Sequence, residues 1–516
     1  MQKYFNTTGP CFSEWHYMVP PLPRLKGVEL LIEQGQYFVI HAPRQSGKTT
    51  YLYALMEKIN REGRYTALQV NIQPAASGVD AKEAMRIIAM QIGFHAKAAK
   101  LPDVEQPPPL SERKEELNFL RGYLTDWCSR NPKPIVLFID EADALRDEIF
   151  LALLHQLRSG FELRRDDFPH SISLIGLRDV RDYKIRLRPE QTSLGTASPF
   201  NVKAESFFVD AFTWEEVEGL FDQYGTETGQ LFPAGVKAEI YRLTQGQPWL
   251  VNAFANHIVG RILDGNVRLP ITLPLVIQAR EELIQRRDTH LDSLMDKLRE
   301  EPVRRIVTAV INGEVLEGDR LNDAIAYTQD LGLITRKSPI RLANPIYQEI
   351  IPRVLSYGWQ LSIPSDYAEL AWYLKDGRLD MDALLKAFQK FYRRHSEAWL
   401  EKYDFREVGR QLLVMAFLQR VINGGGRIER EMAVGNGRCD LWIEFGPEQF
   451  VLELKLQHHS WSEEDGLEQL ARYLSRLNLL HGYLLLFSTD PTQSWEQRLR
   501  WESREQDGKR ITLIGM

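Results

Sequence analysis

Two clusters of side chains have the types and spacing to do chemistry. The first is Ala42-Pro-Arg-Gln-Ser-Gly-Lys-Thr-Thr50, set between the apolar run Tyr37-Phe-Val-Ile-His41 and the helical stretch YLYALMEKI. A loop that turns from a strand into a helix aims successive backbone N–H groups, and the positive end of the helix, at one point, which suits a phosphate. Lys48 would reach the outer phosphate oxygens and Thr49 would offer its hydroxyl to Mg²⁺, while Pro43, Arg44, Gln45, Ser46, Gly47 and Thr50 complete the cradle. The pattern GxxxxGK[ST] is met except at its first glycine, where Ala42 stands. Further along, Pro134-Ile-Val-Leu-Phe-Ile-Asp-Glu-Ala-Asp143 is an apolar strand ending in adjacent carboxylates. Asp140 would hold Mg²⁺ through water and Glu141 would polarise an attacking water. The plainer alternative is a strand-end pair capping the next helix.

The second cluster lies in Gly437-Arg-Cys-Asp-Leu-Trp-Ile-Glu-Phe445 and Gln449-Phe-Val-Leu-Glu-Leu-Lys-Leu456, two strands joined by a Gly-Pro turn. Strand alternation puts Glu453 and Lys455 on one face and Leu452 and Leu454 on the other. With Asp440 on the neighbouring strand, two carboxylates and a lysine can hold a hard cation such as Mg²⁺ or Mn²⁺ and set a water against a phosphodiester. An exposed Glu/Lys stripe can equally be a solvated face. In Gln469-Leu-Ala-Arg-Tyr473 the end residues are helical neighbours, and Arg472 could meet a phosphate.

The elements that must hold these clusters fill 516 residues, enough for about three domains. Hydrophobic residues make up 44% and charged residues 26%, the balance of an ordinary globular chain. A net charge of −6 and a pI near 6.1 exclude a generally basic nucleic-acid coat, so any nucleic-acid contact must be local. Cys11, Cys128 and Cys439 stand far apart, which excludes a disulfide scaffold and disfavours a cysteine-rich zinc module. No apolar run is long enough to span a bilayer and the N-terminus lacks a secretory h-region, so the expected location is cytoplasmic and off the membrane.

Residues 1–26 read as an ordered N-terminal arm whose Pro-Pro-x-Pro stretch excludes helix. From 27 to 210 the runs Tyr37–His41, Thr66–Asn71, Ile135–Ile139 and Ile172–Gly176 alternate with amphipathic stretches, predicting an α/β core with a parallel sheet, interrupted by a surface loop at Leu101–Leu110. Residues 211–290 read as a helical lid opened by a capping box at Thr213 and Glu216. Residues 291–356 read as helix, helix and hairpin, a winged-helix-like unit; 357–400 as a helical linker; and 401–516 as a helix, a glycine cluster, three or four strands and an intervening helix. The arginine-rich tail reads as a mixed solvated surface.

The first cluster resembles the P-loop of AAA-type ATPases related to the signal-transduction (STAND) branch, with Asp140 and Glu141 in the Walker B positions. The resemblance covers about 27–356 and implies further residues. Arg178, in Ser173-Leu-Ile-Gly-Leu-Arg178, matches the arginine that senses the γ-phosphate, and Gly246 and Pro248 match a Gly-x-Pro packed near the adenine. Arg178 could instead be a salt-bridged surface arginine, and Pro248 an ordinary first helical residue. The second cluster resembles the PD-(D/E)XK nuclease core over about 400–516, an α/β/α fold, with Cys-Asp where the pattern has Pro-Asp. The resemblance makes Asp440, Glu453 and Lys455 catalytic, adds Gln469 through its QxxxY, and asks for an acidic residue on a preceding helix: Glu407, with Glu429 and Glu431 as runners-up.

The order of parts is similar to bacterial AAA-like ATPase–nuclease proteins. That implies an ATP-regulated, Mg²⁺-dependent DNA endonuclease, in defence against foreign DNA or in mobile-element processing. ATP and Mg²⁺ are the implied cofactors, with Mn²⁺ an option at the nuclease site. Double-stranded DNA, further copies of the chain and an activating protein or nucleic acid are the implied partners. The alternatives are a nucleotide-dependent switch whose nuclease-like part only binds DNA or a partner, and an ATP-driven end-trimming exonuclease.

Overall fold

The computed structural model describes residues 3–76, 80–110, 118–178, 203–286, 294, 296–311, 323–351, 373–375, 378–400, 414, 417–418, 426–434, 437–457, 463–488 and 493–516. The chain forms two compact units, Met1–Ile306 with Leu316–Pro345, and Val307–Val315 with Ile346–Met516.

The first unit opens with an arm whose strands β1 (Tyr4–Phe5) and β2 (His16–Tyr17) pair in parallel. Its proline stretch, expected to exclude helix, contains a three-residue 3₁₀ turn, Leu22–Arg24, with proline in its first positions, where a missing N–H costs nothing. Behind it stand helix α1 (Val28–Glu33), strand β3 (Tyr37–His41), helix α2 (Lys48–Glu62) and strand β4 (Thr66–Asn71). Helices α3 (Ala81–Ala98) and α4 (Phe119–Arg130) lead to β5 (Ile135–Asp140), α5 (Asp147–Gly160), β6 (Ser171–Gly176) and β7 (Lys203–Phe208). The five strands form one sheet in the order β4-β5-β6-β3-β7, every pair parallel. Both faces are covered, so the central strands are continuous apolar runs. Tyr37, Val39, Leu137 and Ile139 face α3–α5 through Ile88, Trp127 and Leu153, while Phe38, Ile40, Val136 and Phe138 face α1 and α2 through Ile32, Leu52 and Leu55. Strand β7 was not read from the sequence, because Lys203 and Glu205 break its apolar pattern.

The stretch 101–110 is anchored rather than a free surface loop. Leu101 and Glu105 are buried; the Glu105 carboxylate accepts from the Thr66 hydroxyl at 2.7 Å and pairs with Lys133 at 2.6 Å. Helices α6 (Trp214–Thr228), α7 (Ala234–Thr244), α8 (Pro248–Asn256) and α9 (Leu273–Arg286) follow. The capping box at the start of α6 is present: Glu216 N–H donates to Thr213 Oγ1 at 3.3 Å and Thr213 N–H to Glu216 Oε2 at 2.9 Å. Beyond α10 (Glu301–Ile311) and α11 (Asp323–Asp330), a tight hairpin pairs Ile334 with Leu342.

The second unit carries a short hairpin of β8 (Leu374–Lys375) and β9 (Arg378–Leu379), and the helix α12 (Met381–Leu400). Its sheet comprises β10 (Gly426–Val434), β11 (Gly437–Phe445), β12 (Glu448–Gln457), β13 (His481–Ser488), β14 (Arg500–Gln506) and β15 (Lys509–Gly515). The strand order is β10-β11-β12-β13-β15-β14, with parallel pairing only at β12/β13 and β13/β15. Helix α13 (Glu463–Arg476) lays Leu467, Leu470 and Leu474 on the face that carries Val451, Leu484 and Leu513. Two expectations are corrected here. Six strands replace three or four, because the tail read as solvated is the β14–β15 hairpin, with Ile511, Leu513 and Ile514 buried. Residues 381–400 are a wall of this unit rather than a linker: Tyr392 packs on Phe487 at 5.3 Å and Gln389 Nε2 donates to Gly515 O at 2.7 Å.

Candidate functional site: a phosphate loop, a cleft and a carboxylate–lysine cluster

Strand β3 delivers the chain to the phosphate loop and α2 takes it away. Two residues of the loop have positive φ, Gln45 at 57° and Gly47 at 92°, the second being the N-cap of α2. Ser46 Oγ donates to Pro43 O at 2.8 Å, tightening the turn. Lys48 donates to Ala42 O at 2.8 Å and Pro43 O at 2.9 Å, so its ammonium lies inside the loop. Burial pulls the Lys48 pKa down, opposed by the charges of Asp143, Glu141 and Asp140.

Strand β5 ends one strand away from β3, across β6, and that spacing brings Asp140 to the loop. Asp140 Oδ2 accepts from Thr49 Oγ1 at 3.2 Å and from Gln69 Nε2 at 3.1 Å. Burial raises the Asp140 pKa, with Lys48 opposing. Two hard oxygen donors therefore stand side by side, a donor set suited to Mg²⁺ held beside a phosphate. Glu141 sits at φ 59°, a conformation rare outside glycine and held here by Glu141 N–H donating to Asp140 Oδ1 at 3.0 Å. Its pKa is raised by burial first, then by Asp143 and Asp140. Gly176, ending β6, leaves room for Asp143: a Cβ there would lie 2.6 Å from Asp143 Oδ1. Gln69 and Asp143 were not singled out in the sequence. Gln69 lies within β4 and Asp143 just past the end of β5, and neither position carries a local signal of its role.

A cleft opens beside the loop. Gln45, Gly47 and Thr50 form its floor, Asn6, Cys11, Met18 and Arg24 of the arm one wall, and Phe212, Pro248, Trp249 and Asn252 the other. Thr50 Oγ1 accepts from Cys11 N–H at 3.0 Å and Trp249 Nε1 donates to Thr7 O at 2.9 Å, tying arm to loop and arm to α8.

Residues 32–183 match the family described as AAA domain. They are an AAA-type P-loop ATPase domain. No curated protein shows a significant match to the chain. Among solved structures, the Walker-type ATPase PABY2304 of Pyrococcus abyssi is 15% identical, with 67% of this chain and 99% of that chain covered at a TM-score of 0.47. The Aeropyrum pernix ORC1 protein in complex with DNA is 13% identical over 66% of this chain and 92% of that chain, at 0.36. The Thermotoga maritima RuvB Holliday junction branch migration motor is 14% identical over 63% and 91%, at 0.32.

Around the AAA domain the remaining expected nucleotide residues separate. Pro248 lines the cleft, but Gly246 lies behind it. With φ 73° and its carbonyl accepting from Phe212 N–H at 2.8 Å, Gly246 fills a place where a Cβ would strike the Phe212 carbonyl; it shapes the turn. Arg178 lies over the Tyr327 ring, 3.1 Å from its centroid. The same α11 turn meets the domain twice more: Asp330 stands 3.7 Å from His41 at the end of β3, and a Cβ on Gly332 would touch Pro43 of the loop at 2.7 Å. The contact of 327–332 with the loop has no local sequence signature.

In the second unit, the β11–β12 pairing and the alternation bring the expected cluster together. Glu453 Oε2 accepts from Asp440 N–H at 3.3 Å, and Asp440 Oδ2 accepts from Leu454 N–H at 2.7 Å. Lys455 Nζ pairs with Glu453 Oε1 at 2.8 Å. Glu453 is 1% exposed, and burial followed by the nearby Asp440 pushes its pKa up to about 7, against the pull of Lys455. The Lys455 pKa is raised: burial acts to lower it, but Glu453 and Asp440 outweigh that. Gln469 Nε2 donates to Tyr473 Oη at 2.9 Å, and Tyr473 is close enough to act on the Lys455 charge, so α13 flanks the cluster. Among the described residues no group of three His, Cys, Asp or Glu side chains stands together as a metal cage. The expected third acid, Glu407, lies outside the described residues, and Glu429 and Glu431 are described only as backbone of β10. Among the described residues no helix is long and apolar enough to cross a membrane.

Proposed function

We propose that the AAA domain binds and hydrolyses Mg²⁺–ATP, and that the second unit is a PD-(D/E)XK-type, Mg²⁺-dependent DNA nuclease under its control. The observation that carries the second half is the single cluster of Asp440, Glu453 and Lys455, in which a nearly fully buried carboxylate is pushed toward the neutral form. A buried carboxylate at that cost, beside a second one, is the arrangement a divalent cation relieves.

In the AAA domain, Pro43 to Thr50 wrap the phosphates and Lys48 leaves the Ala42 and Pro43 carbonyls to pair with the outer phosphate oxygens. Thr49 and Asp140 hold Mg²⁺, which neutralises phosphate charge. Glu141 orients the attacking water and accepts its proton, a role suited to a carboxylate of raised pKa. Arg178 is the sensing arginine, Pro248 borders the base, and Gly246 acts through the turn it permits. Residues 27–210 are then the ATPase core, 211–290 its lid and 291–356 the winged-helix-like element. In the nuclease unit (401–516, with the wall helix before it) Asp440 and Glu453 hold the cation, Glu407 being the proposed third acid. Lys455 orients the water against the phosphodiester and offsets the developing charge, and Gln469 steadies the flank through Tyr473. Duplex DNA is the substrate, Mn²⁺ can replace Mg²⁺, and the working form is a homo-oligomer awaiting a protein or nucleic-acid activator in defence or mobile-element processing.

The test is cleavage of covalently closed circular and linear duplex DNA, with Mg²⁺ or Mn²⁺, with and without ATP. Wild type is run beside Asp440→Ala and Lys48→Ala. Circles cut only when Asp440 is present, and faster when Lys48 is present, are the expected result. Loss of linear DNA alone makes the protein an end-trimming exonuclease, and no Asp440-dependent cleavage of either form leaves the switch reading.

A further inference from the structure

Arg24 is a cation at the edge of the phosphate loop. Its side chain is 10% exposed and lines the cleft. A Cβ on Gly47 would lie 3.9 Å from Arg24 Nη1, so the guanidinium faces the N-terminal turn of α2. That turn is the positive end of a helix, so the guanidinium and the helix end are two positive features that converge. Three contacts fix the orientation from behind. Nε donates to Glu216 Oε1 at 3.2 Å, Nη2 donates to Asp210 O, and the guanidinium lies 4.8 Å from the Phe212 ring centroid. Nη1 meets no acceptor among the described residues, and its two N–H groups are the ones nearest the loop and the cleft. Glu216 and the Asp210 carboxylate offset its charge from the start of α6, while burial pulls the other way.

We propose that Arg24 is a nucleotide-binding residue: its Nη1 edge donates to an inner phosphate of the bound nucleotide, while its Nε and Nη2 edge stays bonded to Glu216 and Asp210 at the start of the lid. An anion held on the loop within reach of Nη1 relieves the convergence of positive features. It also links three segments distant in sequence, since the arm supplies the arginine, the loop the backbone N–H groups and α6 the glutamate. The arm thus contributes a charge to the site as well as a wall. This inference rests on the reading of loop and cleft as the ATP site.

The experiment is calorimetric titration of the full chain with Mg²⁺–ATP, Mg²⁺–ADP and adenosine, for wild type, Arg24→Gln, Arg24→Lys and Lys48→Ala. Loss of a charge-assisted hydrogen bond predicts ATP and ADP binding weaker by about 10- to 100-fold in Arg24→Gln. Adenosine, which has no phosphate, should bind Arg24→Gln within about twofold of wild type, because only the phosphate contact is removed. Arg24→Lys should keep part of the ATP and ADP affinity. Should Arg24→Gln fail to fold, as its melting curve would show, Arg24→Lys carries the comparison. An equal loss for adenosine and ATP would mean Arg24 only holds the cleft together, and unchanged ATP affinity would mean it touches no nucleotide; either overturns the proposal while leaving the ATP site standing. If wild type binds no ATP, or Lys48→Ala binds it as well as wild type, the site reading itself fails and the proposal with it.

Discussion

Replacing Glu453 by glutamine should stabilise the metal-free protein while abolishing cleavage. The Glu453 carboxyl titrates near 7 in the fold rather than at its ordinary 4.5. Between those values the folded state binds the extra proton, so stability falls as pH rises from 4.5 through 7 and is flat above. The difference of about 2.5 in pKa, at about 1.36 kcal/mol each, places the cost of the ionised form near 3 kcal/mol at pH 8. Glutamine has the size of the protonated acid and carries no charge, so Glu453→Gln should recover most of that figure. Amide hydrogen exchange of the full chain in EDTA reads it directly. Protection of the buried Leu452 and Leu484 amides, compared between wild type and variant at the same pH, should rise about 100-fold in the variant at pH 8. The gain should shrink toward pH 4.5. Equal protection at pH 8, or lower protection in the variant, would refute the view that this carboxylate is held against its own solvation. Saturating Mg²⁺ should reverse the order, stabilising wild type and leaving the variant unchanged.

Three further outcomes follow from the first unit. Asp140→Asn keeps the shape of the site but removes the charge that burial opposes; the nucleotide-free protein should melt no lower than wild type, while Mg²⁺-dependent ATP hydrolysis falls at least about 100-fold. Gly246→Ala combines a positive φ with a Cβ driven into the Phe212 carbonyl, and should destabilise the first unit by about 2–4 kcal/mol in denaturant melts, with nucleotide binding lost alongside. Thr213→Ala removes one half of the capping box and should cost about 1 kcal/mol by the same measurement, with Thr213→Ser restoring most of it.

How much of this was legible in the sequence depended on whether a signal was local. Strands β3 to β6 were readable because burial on both faces makes each a continuous apolar run. The phosphate loop and the Thr213 capping box were readable because each is complete within a few residues. The pairing of Asp440 with Glu453 needed only a turn and a period of two. Strands β7 and β14 were hidden by charged residues that an edge strand tolerates on its open side; in β14, Arg504 and Glu502 pair with each other in solvent. The cleft was invisible for a different reason. Thr7 meets Trp249, and Arg24 meets Glu216, through tertiary packing that leaves no periodicity in either segment. The steric demand on Gly246 was equally hidden, since it comes from the backbone of Phe212, distant in sequence.

The distance between the arm and the lid also sets an order of events when the protein is made. Thr7 and Trp249 are separated by 242 residues, a span that takes roughly 10–50 s to synthesise at ribosomal rates of about 5–20 residues per second. Until residue 232 is made, Phe5 and Tyr17, both 1% exposed in the finished fold, lack the full set of Phe221, Tyr224 and Phe232 rings that cover them. The sheet of the AAA domain can close shortly before, because β3 to β7 are complete by residue 208. Between residues 208 and 232, about 1–5 s at the same rate, the arm is an exposed aromatic segment on a core that can already be folded, a natural target for a chaperone and a point where a destabilised α6 would show itself as aggregation. Nucleotide capture comes after it, when the first and last walls of the cleft meet.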